Sequence, residues 1–192
     1  YEIRLGLVGS EMCIRDRVRV APAENNLPHR EASRINIHRD TWGTNLYQQI
    51  NWWAPVSNVE EKNTMIFYPD YFDVPVKNTT STWDLNIYLA NRKKGDFSYP
   101  SAPQLKEDLP SNIKKIPVTI KPGEILCFSG AHLHSSSKEK SENTRISFEI
   151  RTICENDLNS SAQAPNVDCD LQWKFPKIFK KINDNSPLKI TS

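Results

Sequence analysis

Histidine and carboxylate side chains with metal-ligand spacing are the first chemical feature of this sequence. His38 and Asp40 lie two residues apart in the string RINIHRDTW, where apolar and polar residues alternate as in a strand. Side chains at this spacing share one face of a strand, so an imidazole and a carboxylate can bind one ion. The later segment AHLH offers His132 or His134, about 94 residues beyond Asp40, as a third ligand. Two imidazoles and one carboxylate leave positions open on the metal and suit non-haem Fe(II).

A carboxylate-binding pair follows on the next predicted strand. In NTRISFEIRTI (143–153) the residues alternate, so Arg145 and Ser147 share a face that also carries Glu149 and Arg151. A guanidinium can bind a carboxylate through two parallel hydrogen bonds, and the neighbouring hydroxyl can add a third. This strand therefore predicts an anchor for an acidic ligand eleven residues beyond His134.

Length and composition indicate one mostly β domain. The chain has 192 residues, and its 25 basic and 23 acidic residues are interleaved, which argues against a nucleic-acid surface. Thirteen Pro, five Trp and frequent Asn, Ser and Thr favour strands and turns over long helices. No run approaches the ~20 apolar residues that span a bilayer. We therefore expect a cytoplasmic protein with neither a membrane nor a nucleic-acid partner, and the sequence indicates no oligomeric state.

Three further features complete the predicted domain organisation. Strands are predicted around 34–42, 46–56, 63–69 and 143–153, and two more within PVTIKPGEILCFSG, while 82–92 fits either a strand or a short helix. The core domain is placed at 18–155. The extension at 156–192 is expected to hold a short helix starting at Pro176, packed on the core, or to be a frayed end.

The order of these motifs resembles a known family. HRDTW, QINWWAPVSNVEEKNT, GEILCFSGAHLHSS and NTRISFEIRT together resemble the phytanoyl-CoA dioxygenase-like Fe(II)/2-oxoglutarate-dependent dioxygenases, over about 33–153. The resemblance implies a double-stranded β-helix, or jelly roll, with a cupin-like core and minor helices. It implies Fe(II), 2-oxoglutarate and O₂ as cofactor and cosubstrates. The implied iron ligands are His38, Asp40 and His134, and the implied cosubstrate residues are Arg145, Ser147 and Trp53, with Gln49 and Asn51 on the pocket wall.

The remaining candidate residues are also given expected positions. The eleven-residue step to Arg145 favours His134 as the ligand, which leaves His132 beside it or facing substrate. His29 is expected in a solvated loop. Arg151 is expected to pair with Glu149 or with an acid at the barrel end. Trp42 fits a pocket wall and a core position equally well.

The resemblance implies an oxygenase that hydroxylates a small molecule. YPDYFDVPV departs from the family's usual turn after the third strand, so no substrate loop can be transferred. The alternatives are a cupin-like metal-binding module without oxidative catalysis and an inactive fragment of such an enzyme. A metal store needs no carboxylate anchor, which disfavours the first. A halogenase is disfavoured because Asp40 occupies the position that a halide would need.

Residues 1–17 form a separate case. YEIRLGLVGSEMCIRDR continues into no downstream pattern, and LVGSEMCIRDR resembles a translated sequencing adapter. We therefore expect a non-native leader that contributes no native contacts, with the natural sequence starting near Val18 and truncated at its amino end.

Overall fold

The computed structural model describes residues 12–21, 23, 35–96, 98–137 and 141–190. Within these residues the chain forms eight strands and two short α-helices. The strands are β1 (Met12–Ala21), β2 (Ile50–Pro55), β3 (Met65–Phe67), β4 (Ile116–Pro117), β5 (Leu126–Ser129), β6 (His134–Ser136), β7 (Arg145–Cys154) and β8 (Lys180–Lys181). The helices are α1 (Thr41–Thr44) and α2 (Leu85–Lys93), and single 3-10 turns span Glu61–Asn63, Pro69–Tyr71, Glu155–Asn159 and Pro176–Ile178.

Two antiparallel sheets carry the fold. The larger has the strand order β5-β2-β7-β1-β8 and the smaller the order β4-β3-β6. A cluster of Trp53, Met65, Val118 and Phe128 draws on strands of both sheets, so it packs the sheets against each other. The mostly β fold predicted from composition is confirmed.

β7 is the central strand of the larger sheet, and its residue types separate its faces. Arg145, Ser147 and Glu149 point inward and are buried, whereas Ile146 and Phe148 on the other face are 37% and 47% exposed. Period-two alternation sets these faces. The interior of the fold is therefore lined with charge along this strand, which is what a polar ligand site requires.

The segment that carries His38 is not a strand, contrary to the sequence prediction for 34–42. Within 35–42, His38 forms an isolated bridge to His134, and at Asp40 the backbone has turned into the helical region with φ −65° and ψ −29°. Asp40 then leads into α1. Alternation predicted a strand here, but a strand also needs a partner along its length, and β6 pairs with this segment only locally.

Two other local predictions are settled by the structure. Residues 82–92 contain a helix, α2, because the Asp84 carboxylate caps it by accepting from the backbone N–H groups of Asn86 and Ile87. A short helix does begin at Pro176, as a single 3-10 turn over Pro176–Ile178 that leads into β8. The chain then folds back so that the N–H of Leu188 donates to the carbonyl of Phe179.

The predicted strands near 46–56, 63–69 and 143–153 correspond to β2, β3 and β7, and PVTIKPGEILCFSG contains part of β4 and all of β5. The foreign origin of 1–17 stays a prediction. The expectation that it makes no native contacts fails for 12–17, since their backbone pairs in register with Glu149–Cys154 of β7. Residues 1–11 and His29 lie outside the described residues. No helix in the described ranges is long and apolar enough to cross a membrane.

Candidate metal centre

His38 and His134 are brought together by their backbones. The N–H of each residue donates to the carbonyl of the other at 3.0 Å, which forms an antiparallel bridge between the segment before α1 and the start of β6. Their imidazole rings consequently lie side by side, with centroids 4.4 Å apart. Both side chains are buried. Two histidines almost a hundred residues apart are therefore held at one point by main-chain geometry.

Backbone carbonyls orient both imidazoles. His38 Nδ1 lies 2.8 Å from the carbonyl of Asn36, and His134 Nδ1 lies 2.9 Å from the carbonyl of His132. A carbonyl only accepts, so Nδ1 carries the hydrogen in each ring and Nε2 keeps its lone pair. This is the arrangement by which proteins fix the tautomer of a metal-binding histidine.

Asp40 completes the cluster. One of its oxygens lies 3.3 Å from His38 Nε2 and the other lies 3.8 Å from His134 Nε2. One ligand atom from each of the three residues falls within 4.8 Å of the others. Two imidazole lone pairs and one carboxylate converge on a single point, so the donor set fits a divalent transition-metal ion with open positions.

Two donors hold the Asp40 carboxylate from the side of the larger sheet. Arg151 Nη2 lies 2.7 Å from Oδ1, and Asn51 Nδ2 donates to Oδ2. Burial alone would raise the pKa of Asp40, but the charge of Arg151, with smaller contributions from the neighbouring His38 and His134, holds it far below its usual range. Asp40 is therefore ionised at neutral pH, as a metal ligand must be.

His134 is held in its neutral form. Burial, helped by the neighbouring His38, lowers the pKa of His134 to about 4, against the opposing charge of Asp40. Phe67 stacks on its ring with centroids 5.8 Å apart, and Phe128 meets the ring edge-on at 5.4 Å. A neutral, apolar-walled imidazole keeps its lone pair available at physiological pH.

A chain of amides supports Asp40 from β2. Gln49 Nε2 donates to Asn51 Oδ1 at 2.7 Å, which turns the amide nitrogen of Asn51 toward the carboxylate. Gly130 packs directly on Gln49: a Cβ at this glycine would lie 2.9 Å from Nε2 and 3.2 Å from Cδ. Gln49 and Asn51 thus support the Asp40 carboxylate, and their expected place on the pocket wall stays a prediction.

Arg39, between the two ligands, points the opposite way and anchors the segment. Its guanidinium donates to Asp168 Oδ2 at 3.1 Å. It also donates to four backbone carbonyls, those of Tyr71, Phe72, Val74 and Ala131. Asp168 additionally accepts from Trp42 Nε1 at 2.7 Å. No sequence pattern predicts this network, because the partners of Arg39 lie about 30 to 130 residues away in the chain.

A cavity beside His134 contains the predicted carboxylate anchor. It is lined by Arg19, Ile35, Trp53, Met65, His134, Ser135, Ser136, Arg145 and Glu149. The Arg145 guanidinium lies 5.6 Å above the Trp53 ring, and its Nη1 donates to the carbonyl of Asn63 at 2.7 Å. Arg145, Trp53 and His134 therefore share one cavity.

Several buried donors at this cavity have no partner within the described chain. They are Nε of Arg145, Oγ of the neighbouring Ser147 and Nε of Arg19. Arg19 also forms an ion pair with Glu149, with Nη2 and Oε2 2.8 Å apart. Buried polar atoms are nearly always hydrogen-bonded. Three unmet donors, two of them on guanidiniums, fit an anionic ligand with several acceptor oxygens.

Burial and charge act together on this cavity. Burial, helped by the nearby Arg19 charge, lowers the pKa of Arg145 to about 10, so the guanidinium stays charged at neutral pH. Burial would raise the pKa of Glu149, but Arg19 and Arg151 hold it below its usual range. Glu149 at this cavity is therefore ionised, because the charges of Arg19 and Arg151 favour its carboxylate form.

The other sequence candidates lie outside the cluster of ligands. His132 Nδ1 contacts the carbonyl of Ser129, and its ring lies 4.5 Å from that of Phe72. Trp42 is fully buried in an aromatic core cluster, which decides between its two expected roles. The expected partners of Arg151, Glu149 or an acid at the barrel end, are wrong, because Arg151 pairs with Asp40 at the centre.

Comparisons with known proteins agree with this architecture. No protein-family model matches the chain, and the search of curated proteins found no match. Among solved structures, the non-heme monooxygenase ThoJ in its apo form matches with a TM-score of 0.50 and 14% identity, over 78% of this chain and 49% of ThoJ. EvdO2 from Micromonospora carbonacea var. aurantiaca, complexed with 2-oxoglutarate, matches with a TM-score of 0.50 and 10% identity, over 75% of this chain and 52% of EvdO2.

The chain thus spans about half the length of these structural neighbours. At such identities the likeness concerns the fold: this mostly β chain shares the architecture of ThoJ, described as a non-heme monooxygenase, and of EvdO2, which was solved with bound 2-oxoglutarate.

Proposed function

We propose that this chain is the core of a non-haem Fe(II)- and 2-oxoglutarate-dependent oxygenase that hydroxylates a small molecule. We assign it to the phytanoyl-CoA dioxygenase-like group with a double-stranded β-helix fold. The observation that carries the proposal is the convergence of His38, Asp40 and His134 next to a cavity lined by Arg145, where Arg145 and the neighbouring Ser147 have buried donors without a partner in the described chain.

His38, Asp40 and His134 would hold the metal. Their two neutral Nε2 atoms and one ionised carboxylate supply three ligands of the kinds that suit Fe(II), and they leave positions for a bidentate cosubstrate. EvdO2, which shares this fold, was solved in complex with 2-oxoglutarate, and this supports the same cosubstrate here. Bound iron would activate O₂, the oxidant, while 2-oxoglutarate would supply two electrons and leave as succinate and CO₂.

The residues of this chain would bind and orient the cosubstrate. Arg145 can donate from its unpartnered Nε to a carboxylate. Ser147 Oγ, two residues further along the same face of β7, can donate as well. Trp53 supports the guanidinium from below, which fixes its plane. Because both donors are buried, the carboxylate would be held without competing water, and its other end would face His134 across the cavity.

A metal-binding module without oxidative chemistry is the competing function. It would account for the three metal ligands. It would not account for the unmet donors of Arg145 and Ser147, which need an anion and not a cation. The unpartnered donors of Arg145 and Ser147 therefore favour the oxygenase over the metal-binding module.

Anaerobic titration of Fe(II) with 2-oxoglutarate tests the proposal. Chelation of a keto acid by Fe(II) gives a weak visible absorption band, which we expect for the wild type and expect to vanish in His38→Ala and Asp40→Ala. A folded wild-type protein that binds Fe(II) but never develops the band would refute the oxygenase and leave the metal module.

A substitution of Arg145 tests the binding of the cosubstrate carboxylate separately from the binding of the metal. Arg145→Lys keeps the charge but loses the planar two-point geometry, so the affinity for 2-oxoglutarate should fall by about 2 kcal/mol, or roughly thirtyfold. The matched control is Arg92→Lys, at an exposed position on α2, which should leave the affinity unchanged. Equal losses in the two variants would contradict the assigned anchor.

A further inference from the structure

Arg151 reaches the metal centre from the middle of the larger sheet. In the β2–β7 register it stands directly opposite Asn51, so both side chains project from the same face toward Asp40. Its Nη2 lies 2.7 Å from Asp40 Oδ1, with 14% of the Arg151 side chain and 3% of the Asp40 side chain exposed. The pair is therefore a largely buried ion pair on a proposed metal ligand.

Both oxygens of Asp40 are engaged without any metal. Arg151 contacts Oδ1, and Asn51 donates to Oδ2. Leaving a buried carboxylate without a compensating charge is costly, so this ion pair stabilises the ligand in its place. The same contact puts a full positive charge beside the point where a divalent cation would bind, and like charges that close repel each other strongly in a buried site.

We propose that Arg151 is a built-in counterion of Asp40, which keeps the carboxylate oriented in the metal-free chain and competes with the divalent cation for it. The inference rests on the proposed metal centre at His38, Asp40 and His134. Arg151 is a positioning residue in this account, and it weakens cation binding while holding the site ready for it.

Other groups near Asp40 do not take over this role. Asn51 is neutral and can orient the carboxylate without balancing its charge. The guanidinium of Arg39 faces away, toward Asp168. Glu149 lies on the same face of β7 as Arg151 and pairs with Arg19, so it adds negative charge to the site. Among the side chains that the structure describes, Arg151 is thus the guanidinium in direct contact with Asp40.

Titration of the metal-free protein with Co²⁺ alone, without cosubstrate, tests the inference. Arg151→Gln removes the competing charge, so Co²⁺ should bind at least about tenfold more tightly than to the wild type. Arg151→Lys retains a positive charge and should stay within about threefold of the wild type. Arg92→Gln removes a guanidinium from an exposed position on α2 and should leave the Co²⁺ affinity unchanged.

Thermal unfolding supplies a second readout. Without metal, Arg151→Gln should melt below the wild type, because Asp40 loses its counterion, and saturating Co²⁺ should raise its melting temperature more than that of the wild type. If the variant folds only when Co²⁺ is present, that rescue also supports the inference. A variant that Co²⁺ does not rescue overturns it.

The outcomes distinguish the two proposals. Equal or weaker Co²⁺ affinity in Arg151→Gln, with normal binding by the wild type, overturns the role of Arg151 and leaves the metal centre intact. A folded wild type that binds no Co²⁺ overturns the metal centre itself, and the inference falls with it.

Discussion

Asp168→Asn tests the buried ion pair that anchors the metal-binding segment from behind. Asp168 accepts from Arg39 Nε at 3.1 Å, from Trp42 Nε1 at 2.7 Å and from the backbone N–H of Val76 at 3.1 Å. Both charged side chains are almost fully buried, at 2% and 4% exposed. Arg39 lies between the ligands His38 and Asp40 in the chain, so the pair ties their position to the rest of the fold.

The structure sets the expected magnitude. Removing one charge of a buried ion pair costs about 3–5 kcal/mol, since the other charge stays buried and uncompensated. Arg39 keeps its hydrogen bonds to four backbone carbonyls, which places Asp168→Asn at the lower end, about 3 kcal/mol. Each kcal/mol shifts the melting temperature of a domain this size by about 2–4 °C, so we expect a fall of roughly 6–12 °C.

Calorimetry of the metal-free protein measures this shift, and the chain offers a close control. Asp170→Asn makes the same chemical change two residues away, at an exposed position, and should move the melting temperature little. The affinity for Co²⁺ should also fall in Asp168→Asn, because the segment between the ligands loosens. If Asp168→Asn melts within ~2 °C of the Asp170→Asn control, the ion pair does not anchor the segment and the reasoning is wrong.

Three further substitutions or conditions follow from the same structure. Burial lowers the pKa of His134 to about 4 from an unfolded value near 6.5, so the unfolded chain binds more protons between these values. Urea denaturation of the metal-free protein should therefore show stability rising by roughly 3 kcal/mol from pH 4 to 6.5, and a similar rise in His134→Asn would contradict this. Gly130→Ala should displace Gln49 and weaken Co²⁺ binding, and an unchanged affinity would show that the amide chain tolerates the shift. Deleting 1–17 removes the pairs with Glu149–Cys154 and should lower the melting temperature, whereas an unchanged value would support a foreign leader.

Side-chain spacing predicted the parts of the site that depend on local geometry. On β7, period-two alternation alone places Arg145 and Ser147 on one face, and the structure buries that face. The pair His38 and Asp40 also ends up on one side of the chain, although the strand expected there is replaced by a bridge and a helical turn. His38 and Asp40 still lie on one side because this requires only that side chains two residues apart point in the same direction before α1 begins.

Long-range contacts explain what the sequence did not reveal. No sequence pattern assigned a role to Arg39, and Arg151 was expected to pair with Glu149 or with an acid at the barrel end. Each finds its buried partner more than a hundred residues away in the chain, at Asp168 and Asp40. Spacing and alternation report which face a side chain occupies, but which carboxylate meets a buried guanidinium depends on how strands pair. The pairing of β2, β7 and the His38 segment decides it here.

The charges at the centre lead to one further consequence. The guanidiniums of Arg19, Arg145 and Arg151 and the carboxylates of Asp40 and Glu149 give the site a net charge of +1 when both imidazoles are neutral. A divalent cation alone would raise this to a strongly positive value inside a buried region, and a dicarboxylate would return it to the starting value. The cation and the dianion should therefore strengthen each other's binding, and linkage requires the effect to be the same in both directions. Along β7 the dianion is expected at the Arg145 end and the cation at the Arg151 end, so a single strand would position both partners of that coupling.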